Sequence, residues 1–280
     1  MADSRVTTGA PTATIDSRLA APPVAEVMRD IARGGIAGII VGFFVAGLGG
    51  RLDMRLATIR HEDTVGIFTE NGEVIGHITL NGTLALMTFG GLGMGLLAGT
   101  IWVIVSPWIP GRGLARALVT AIVAVALGTP PLVQRTNPDF AVLGHDPIVV
   151  ALLVGLVGIV GFSIAVVDRA LDARLPSPLR GIGTATTAYL IVTLMGLVLI
   201  LPLVIAILLD QPEYRAPVRA GWALAIVGVC TFTWWVLRVT GRSAPPTTLR
   251  LAGTVSLLVA VVLGVVTGLP HVLGAAGLPS

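Results

Sequence analysis

His61, Glu62, Asp63, Glu70, Glu73 and His77 fall close together in one polar stretch of the chain. Imidazoles and carboxylates are the side chains that hold divalent metals and move protons near neutral pH. Their spacing matches no ligand pattern. His61-Glu-Asp-Thr-Val lacks the second His that the zinc-protease helix places four residues on. A solvated polar loop is the plainer expectation. A second candidate lies at His145-Asp146-Pro147. Pro suits the first turn of a helix, which makes Asp146 its N-cap, with His145 beside it as a candidate proton-transfer group.

Other chemistry is not encoded in recognisable form. The sequence holds no Walker phosphate loop, Gly-x-Ser-x-Gly elbow, dinucleotide fingerprint or Cys pair. No cofactor, catalytic residue or metal site is expected. The one cysteine, Cys230, sits within an apolar run and reads as a small packing residue. All eighteen basic residues are Arg, spread over several loops. The sequence pI near 10.0 therefore does not indicate a nucleic-acid partner.

The elements that must position these groups are dictated by hydropathy. Hydrophobic residues make up 54% of the 280-residue chain, charged ones 12%, and mean hydropathy is +0.91. A spanning helix needs about 20 apolar residues. Seven runs qualify: roughly Gly34–Gly50, Thr83–Val105, Ala115–Val133, Ile148–Val167, Gly183–Leu209, Val218–Leu237 and Leu249–Leu269. They are continuous rather than alternating, so they are helices and not barrel strands. The expected fold class is an all-α integral membrane protein of about seven transmembrane helices. Residues 1–30 read as a flexible cytoplasmic tail, with a short helix at Val24–Ala32, and residues 31–280 as one membrane domain. The third run is the least secure, because Pro130 and Pro131 interrupt its end.

Arg marks the cytoplasmic side of short loops. With seven spans, the N-terminal tail and the second, fourth and sixth loops share one side and carry twelve Arg, against six on the other. The expectation is a multi-pass protein of the cell membrane with its N-terminus in the cytoplasm and its C-terminus outside.

The first span carries Gly34, Gly38, Gly42, Ala46 and Gly50 at four-residue spacing, and the second Gly91, Gly95 and Gly99. Small-residue stripes let helix backbones approach closely in lipid. Spans one and two should pack on each other, or on a partner helix or second copy. Ala260, Gly264 and Gly268 form a shorter echo in span seven, and Pro202 should kink span five. Trp102, Trp108, Trp222, Trp234 and Trp235 read as interface anchors.

Residues 51–82 form the expected structured outer loop. Arg51–Ile59 has helical spacing and should extend the first span. Beyond it, two β-prone runs flank Asn71-Gly72, the strongest short hairpin signal. The hairpin would pack Val65 against its base and present Glu70 and Glu73 as an acidic tip for a partner. The cores of spans two to seven hold no Asp, Glu, Lys, Arg or His, which disfavours a proton-driven pump. The leading expectation is a non-catalytic assembly or accessory subunit or a small sensor. A passive or lipid-like solute transporter comes second. An outer-interface enzyme using His61, Glu70, Glu73, His77 or His145 comes third.

Overall fold

The computed structural model describes residues 23–62, 65–67, 79–133, 145–178, 184–209 and 218–279. Among these residues seven helices follow one another: α1 (Pro23–Arg60), α2 (Leu80–Trp108), α3 (Gly113–Leu132), α4 (Pro147–Arg174), α5 (Thr184–Leu209), α6 (Val218–Val239) and α7 (Thr247–Ala275). Six of them are long and apolar enough to cross a bilayer by length and composition, and α5 runs apolar for 26 residues. The chain is thus an all-α, multi-pass membrane protein. No strand occurs among the described residues.

The helices alternate in direction. The N-terminus of α1 and the connections α2–α3, α4–α5 and α6–α7 lie at one end of the bundle, termed here the Arg33 end. The other connections lie at the Asp146 end. Six helices close a ring in the order α1, α4, α3, α7, α6 and α2, and α5 lies outside it against α1 and α2. The ring is filled rather than hollow. Its core includes Val41 of α1, Trp102, Val105 and Trp108 of α2, Ala117 and Val123 of α3, Ile164 of α4, Val227 and Cys230 of α6 and Leu257 of α7. Dense packing of this kind, not water exclusion, is what holds helices together in lipid.

Helix α1 crosses α2 at the centre. A methyl group on Gly38 would overlap the Gly95 carbonyl and Gly99 Cα, and one on Gly42 the Gly91 carbonyl and Gly95 Cα. Gly34 abuts the Val103 side chain instead, whereas Gly50 has only a Leu86 methyl within ordinary contact. Each helix contains a π-helical segment at this crossing, Gly42–Gly47 in α1 and Leu86–Leu92 in α2, and the two segments face each other. On α7, Gly253 lies against the Trp108 ring, Gly264 against the Ala126 carbonyl and Gly268 against Pro130. The third span holds: α3 runs through Pro130 and Pro131 to Leu132, and Val133 caps it by donating to the Thr129 carbonyl.

Several expectations change. The helix at Val24–Ala32 is the first part of α1, not a separate piece of tail. The extension of the first span is present and ends at Arg60, with His61 donating its N–H to the Ala57 and Thr58 carbonyls. The hairpin has no support. Val65 and Gly66 form a turn, Val65 is 47% exposed instead of packed, and Asn71-Gly72 lies outside the described residues. Glu70, Glu73 and His77 lie outside them too. Trp102 and Trp108 are not interface anchors, being 4% and 2% exposed in the core. Trp108 has a polar reason to be there: its indole N–H donates to Thr231 Oγ1 at 2.8 Å, and that hydroxyl in turn donates to the Ile104 carbonyl.

Candidate functional site: an interhelical charge network

Seven charged residues of the Arg33 end form one network between α1, α4 and α6. Helix α1 begins with Glu26, Arg29, Asp30 and Arg33, which its period gathers toward one side. Helix α4 continues seven residues past Val167, so Asp168 and Asp172 ride on its last two turns at the same four-residue interval as Arg29 and Arg33. The matching intervals let the two pairs meet rung against rung. Arg33 Nε donates to Asp168 Oδ1 at 2.8 Å, and Arg33 Nη1 also bonds Asp172. Arg29 Nη1 donates to Asp172 Oδ1 at 2.8 Å, while its Nη2 reaches the Asp172 and Leu175 carbonyls at 2.8 and 3.1 Å. Those carbonyls end α4, so Arg29 also satisfies orphan acceptors of that helix.

Helix α6 joins from the other side. Arg238 Nη1 donates to Asp30 Oδ2 at 2.5 Å and Nη2 to Glu26 Oε2 at 3.1 Å. Asp30 additionally faces Arg33 at 3.4 Å. Asp168, Arg29 and Arg33 are the least exposed partners, with 10%, 14% and 18% of their side chains accessible. Arginine suits this work because its fixed fork of donors serves two carboxylates at once. Next to the network, Arg116 of α3 lies over the Trp102 ring at 5.3 Å and donates to the Ser106 carbonyl at 2.6 Å.

A small cleft of about 60 Å³ opens within this network. Its walls combine Asp30, Arg33, Asp168 and Arg238 with Ser106 and the rings of Trp102, Trp234 and Trp235. That volume has room for water-sized molecules. Arg33 is nine residues from Gly42 at the helix crossing, or about 13 Å along α1. The cleft is accordingly a feature of the bundle end, not of its middle.

A second, smaller cluster sits at the Asp146 end. Asp146 caps α4 as its position before Pro147 suggests, with Oδ1 accepting from the Ile148 N–H at 2.8 Å. Its Oδ2 accepts from Arg60 Nε at 2.6 Å and lies 3.1 Å from His61 Nε2. The Arg60 hydrogen bond, helped by the Ile148 N–H and His61, holds the Asp146 carboxyl at about 2, against the opposing effect of burial. His145 adopts a positive φ of 55° and its Nδ1 lies 3.2 Å from the Ala275 carbonyl. His61 and Asp146, assigned by sequence to separate outer loops, thus meet, while His145 turns toward the end of α7. Among the described residues no group of three or more His, Cys, Asp or Glu is placed to hold a metal ion.

Sequence reasoning missed the larger network because it treated Arg as a marker of sidedness and ended span four at Val167. The signal was present as two complementary i,i+4 pairs, Arg29/Arg33 and Asp168/Asp172, each flanking an apolar run. No protein-family model, curated protein or solved structure matches this chain.

Proposed function

We propose that the protein is a non-catalytic membrane subunit, an assembly or accessory component or a small sensor, with its N-terminus in the cytoplasm. The observation that supports this most is the filled ring. Trp102, Trp108, Val41 and Val227 occupy its centre, and Glu26, Arg29, Asp30, Arg33, Asp168, Asp172 and Arg238 pair with one another across α1, α4 and α6. Groups used in this way hold helices together. Helix α5, outside the ring, offers an apolar side on which Leu194, Leu197 and Val198 are 50%, 59% and 68% exposed. In this reading that side meets a partner helix, and the acidic pair Glu70 and Glu73 supplies a salt-sensitive contact beyond the membrane.

Affinity purification in mild detergent tests the reading. The expected result is a membrane protein recovered in fixed stoichiometry and lost when Leu197 and Val198 are changed to Trp. A solitary chain that catalyses saturable solute flux in proteoliposomes would overturn it. Orientation is checked in a Cys230→Ser background. A cysteine at Leu278 should label from outside and one at Arg112 should not.

A second reading, a solute transporter, is favoured by the cleft between Asp30, Arg33, Asp168 and Arg238. The network would then be the closed state of one entrance. Flux that rises when Asp168→Asn loosens the network would support it over the first.

A further inference from the structure

Three arginines of the Arg33 end, Arg112, Arg169 and Arg250, lie in or beside the connection between α2 and α3. Arg112 sits in that connection, exposed. Helix α3 is flanked on one side by α4, where Gly161 packs on Thr120 and Ala124, and on the other by α7, where Gly264 packs on Ala126. Two turns beyond Gly161, exposed Arg169 lays its guanidinium on Gly113, within 3.0 Å of where a Cβ would stand. One turn before Gly253, which abuts Trp108, α7 carries exposed Arg250. Arg112 and Arg169 therefore flank Gly113, and Arg250 lies one turn from the α7 contact with Trp108. None of their side chains has an ion pair or hydrogen bond among the described residues. The nearby carboxylates are committed elsewhere, Asp168 to Arg33 and Asp172 to Arg29 and Arg33.

We infer that Arg112, Arg169 and Arg250 form a docking site for the phosphate headgroup of an anionic phospholipid. The level is right for a lipid. Four residues join α2 to α3, so Arg112 cannot move far from the ends of two spanning helices. The exposed apolar side chains Leu114 and Leu118 (65% and 52%) continue from the cations down α3, where acyl chains would lie. Charge is also distributed for it. Among the described residues, this end carries nine Arg and four carboxylates, and the other end four Arg and three carboxylates. Anionic lipid is attracted more strongly to the first surface than to the second. Each Arg near a lipid surface strengthens such binding by roughly five-fold.

Native mass spectrometry of the delipidated full chain, titrated with phosphatidylglycerol or phosphatidylcholine, tests the site. Wild type should retain phosphatidylglycerol in preference to phosphatidylcholine. Arg112→Gln should weaken retention about five-fold, and the triple Arg→Gln variant should abolish the preference. The triple Arg→Lys variant should keep most of it, and Arg219→Gln at the opposite end should keep all of it. If the triple Gln variant does not fold, the three single variants carry the same comparison. Equal retention by wild type and the Gln variants would overturn the proposal. So would displacement of the lipid by inorganic phosphate beyond the effect of chloride at matched ionic strength, because the site would then serve a free anion.

Discussion

Arg33 of α1 and Asp168 of α4, 135 residues apart in sequence, are joined by a 2.8 Å hydrogen-bonded ion pair. The same two helices meet again at their other ends through Arg60 and Asp146 at 2.6 Å. Helices α1 and α4 are thereby pinned at both membrane faces, with α4 shorter by ten residues.

Removing one partner of the first pair leaves the other charge poorly solvated. Asp168→Asn should cost about 2 kcal/mol of stability, the scale of a charged hydrogen bond. Arg33→Gln together with Asp168→Asn should cost less than the two single changes added, because neither leaves a bare charge. Unfolding measured in detergent for all four proteins of the cycle checks this. Strict additivity would show that the pair is uncoupled.

The central crossing predicts a position-dependent response to added volume. Gly42→Leu meets the backbone of α2 and should cost more than the about 1–3 kcal/mol typical of overpacking a side-chain contact. Gly268→Leu meets the Pro130 ring and should be damaging but less so. Gly35→Ala, with nothing within 4 Å of the new methyl, should be neutral or stabilising by up to about 1 kcal/mol. Melting temperatures in one detergent rank the three.

Thr231 links three acceptors and donors in the core, so its hydroxyl matters more than its shape. Thr231→Val strands the Trp108 N–H and should cost about 1–3 kcal/mol. Thr231→Ser should remain close to wild type. Tryptophan emission and thermal unfolding together report both outcomes.

Asp146 makes stability depend on acid. Its carboxyl titrates at about 2 when folded, below the ordinary value of 3.8. The folded state therefore binds the proton less readily than the unfolded one. The resulting stabilisation is complete above about pH 4 and fades as pH falls toward 2. The difference in stability between wild type and Asp146→Asn should shrink over that window. An unchanged difference would place the depression elsewhere.

Much of the architecture was legible in the sequence, for identifiable reasons. Lipid demands long uninterrupted apolar helices, and the seven runs match the seven helices to within a few residues at most ends. Gly38, Gly42, Gly91, Gly95 and Gly99 announced a close approach because only glycine admits one. The functional side was harder. Arg29, Arg33 and Arg238 looked like simple topology markers because their partners lie on helices remote in sequence. Asp168 was assigned to a loop because apolarity stops at Val167 while the helix does not. Trp102 and Trp108 lie near the end of their span, where a tryptophan belt and a buried core residue look the same until the neighbouring helices are placed.

The paired π-helical segments bear on how this protein can change length. A π segment holds an extra residue between two stretches of ordinary helix without turning one against the other. Deleting the exposed Phe44 lets α1 return to i→i+4 bonding, leaving Arg33 over Asp168 and Arg60 over Asp146. The same deletion at Ile36 or Leu52 rotates everything beyond it by about 100° and parts one of those pairs. Helices α1 and α2 thus each carry slack of one residue, stored side by side, at the place where the two backbones are closest.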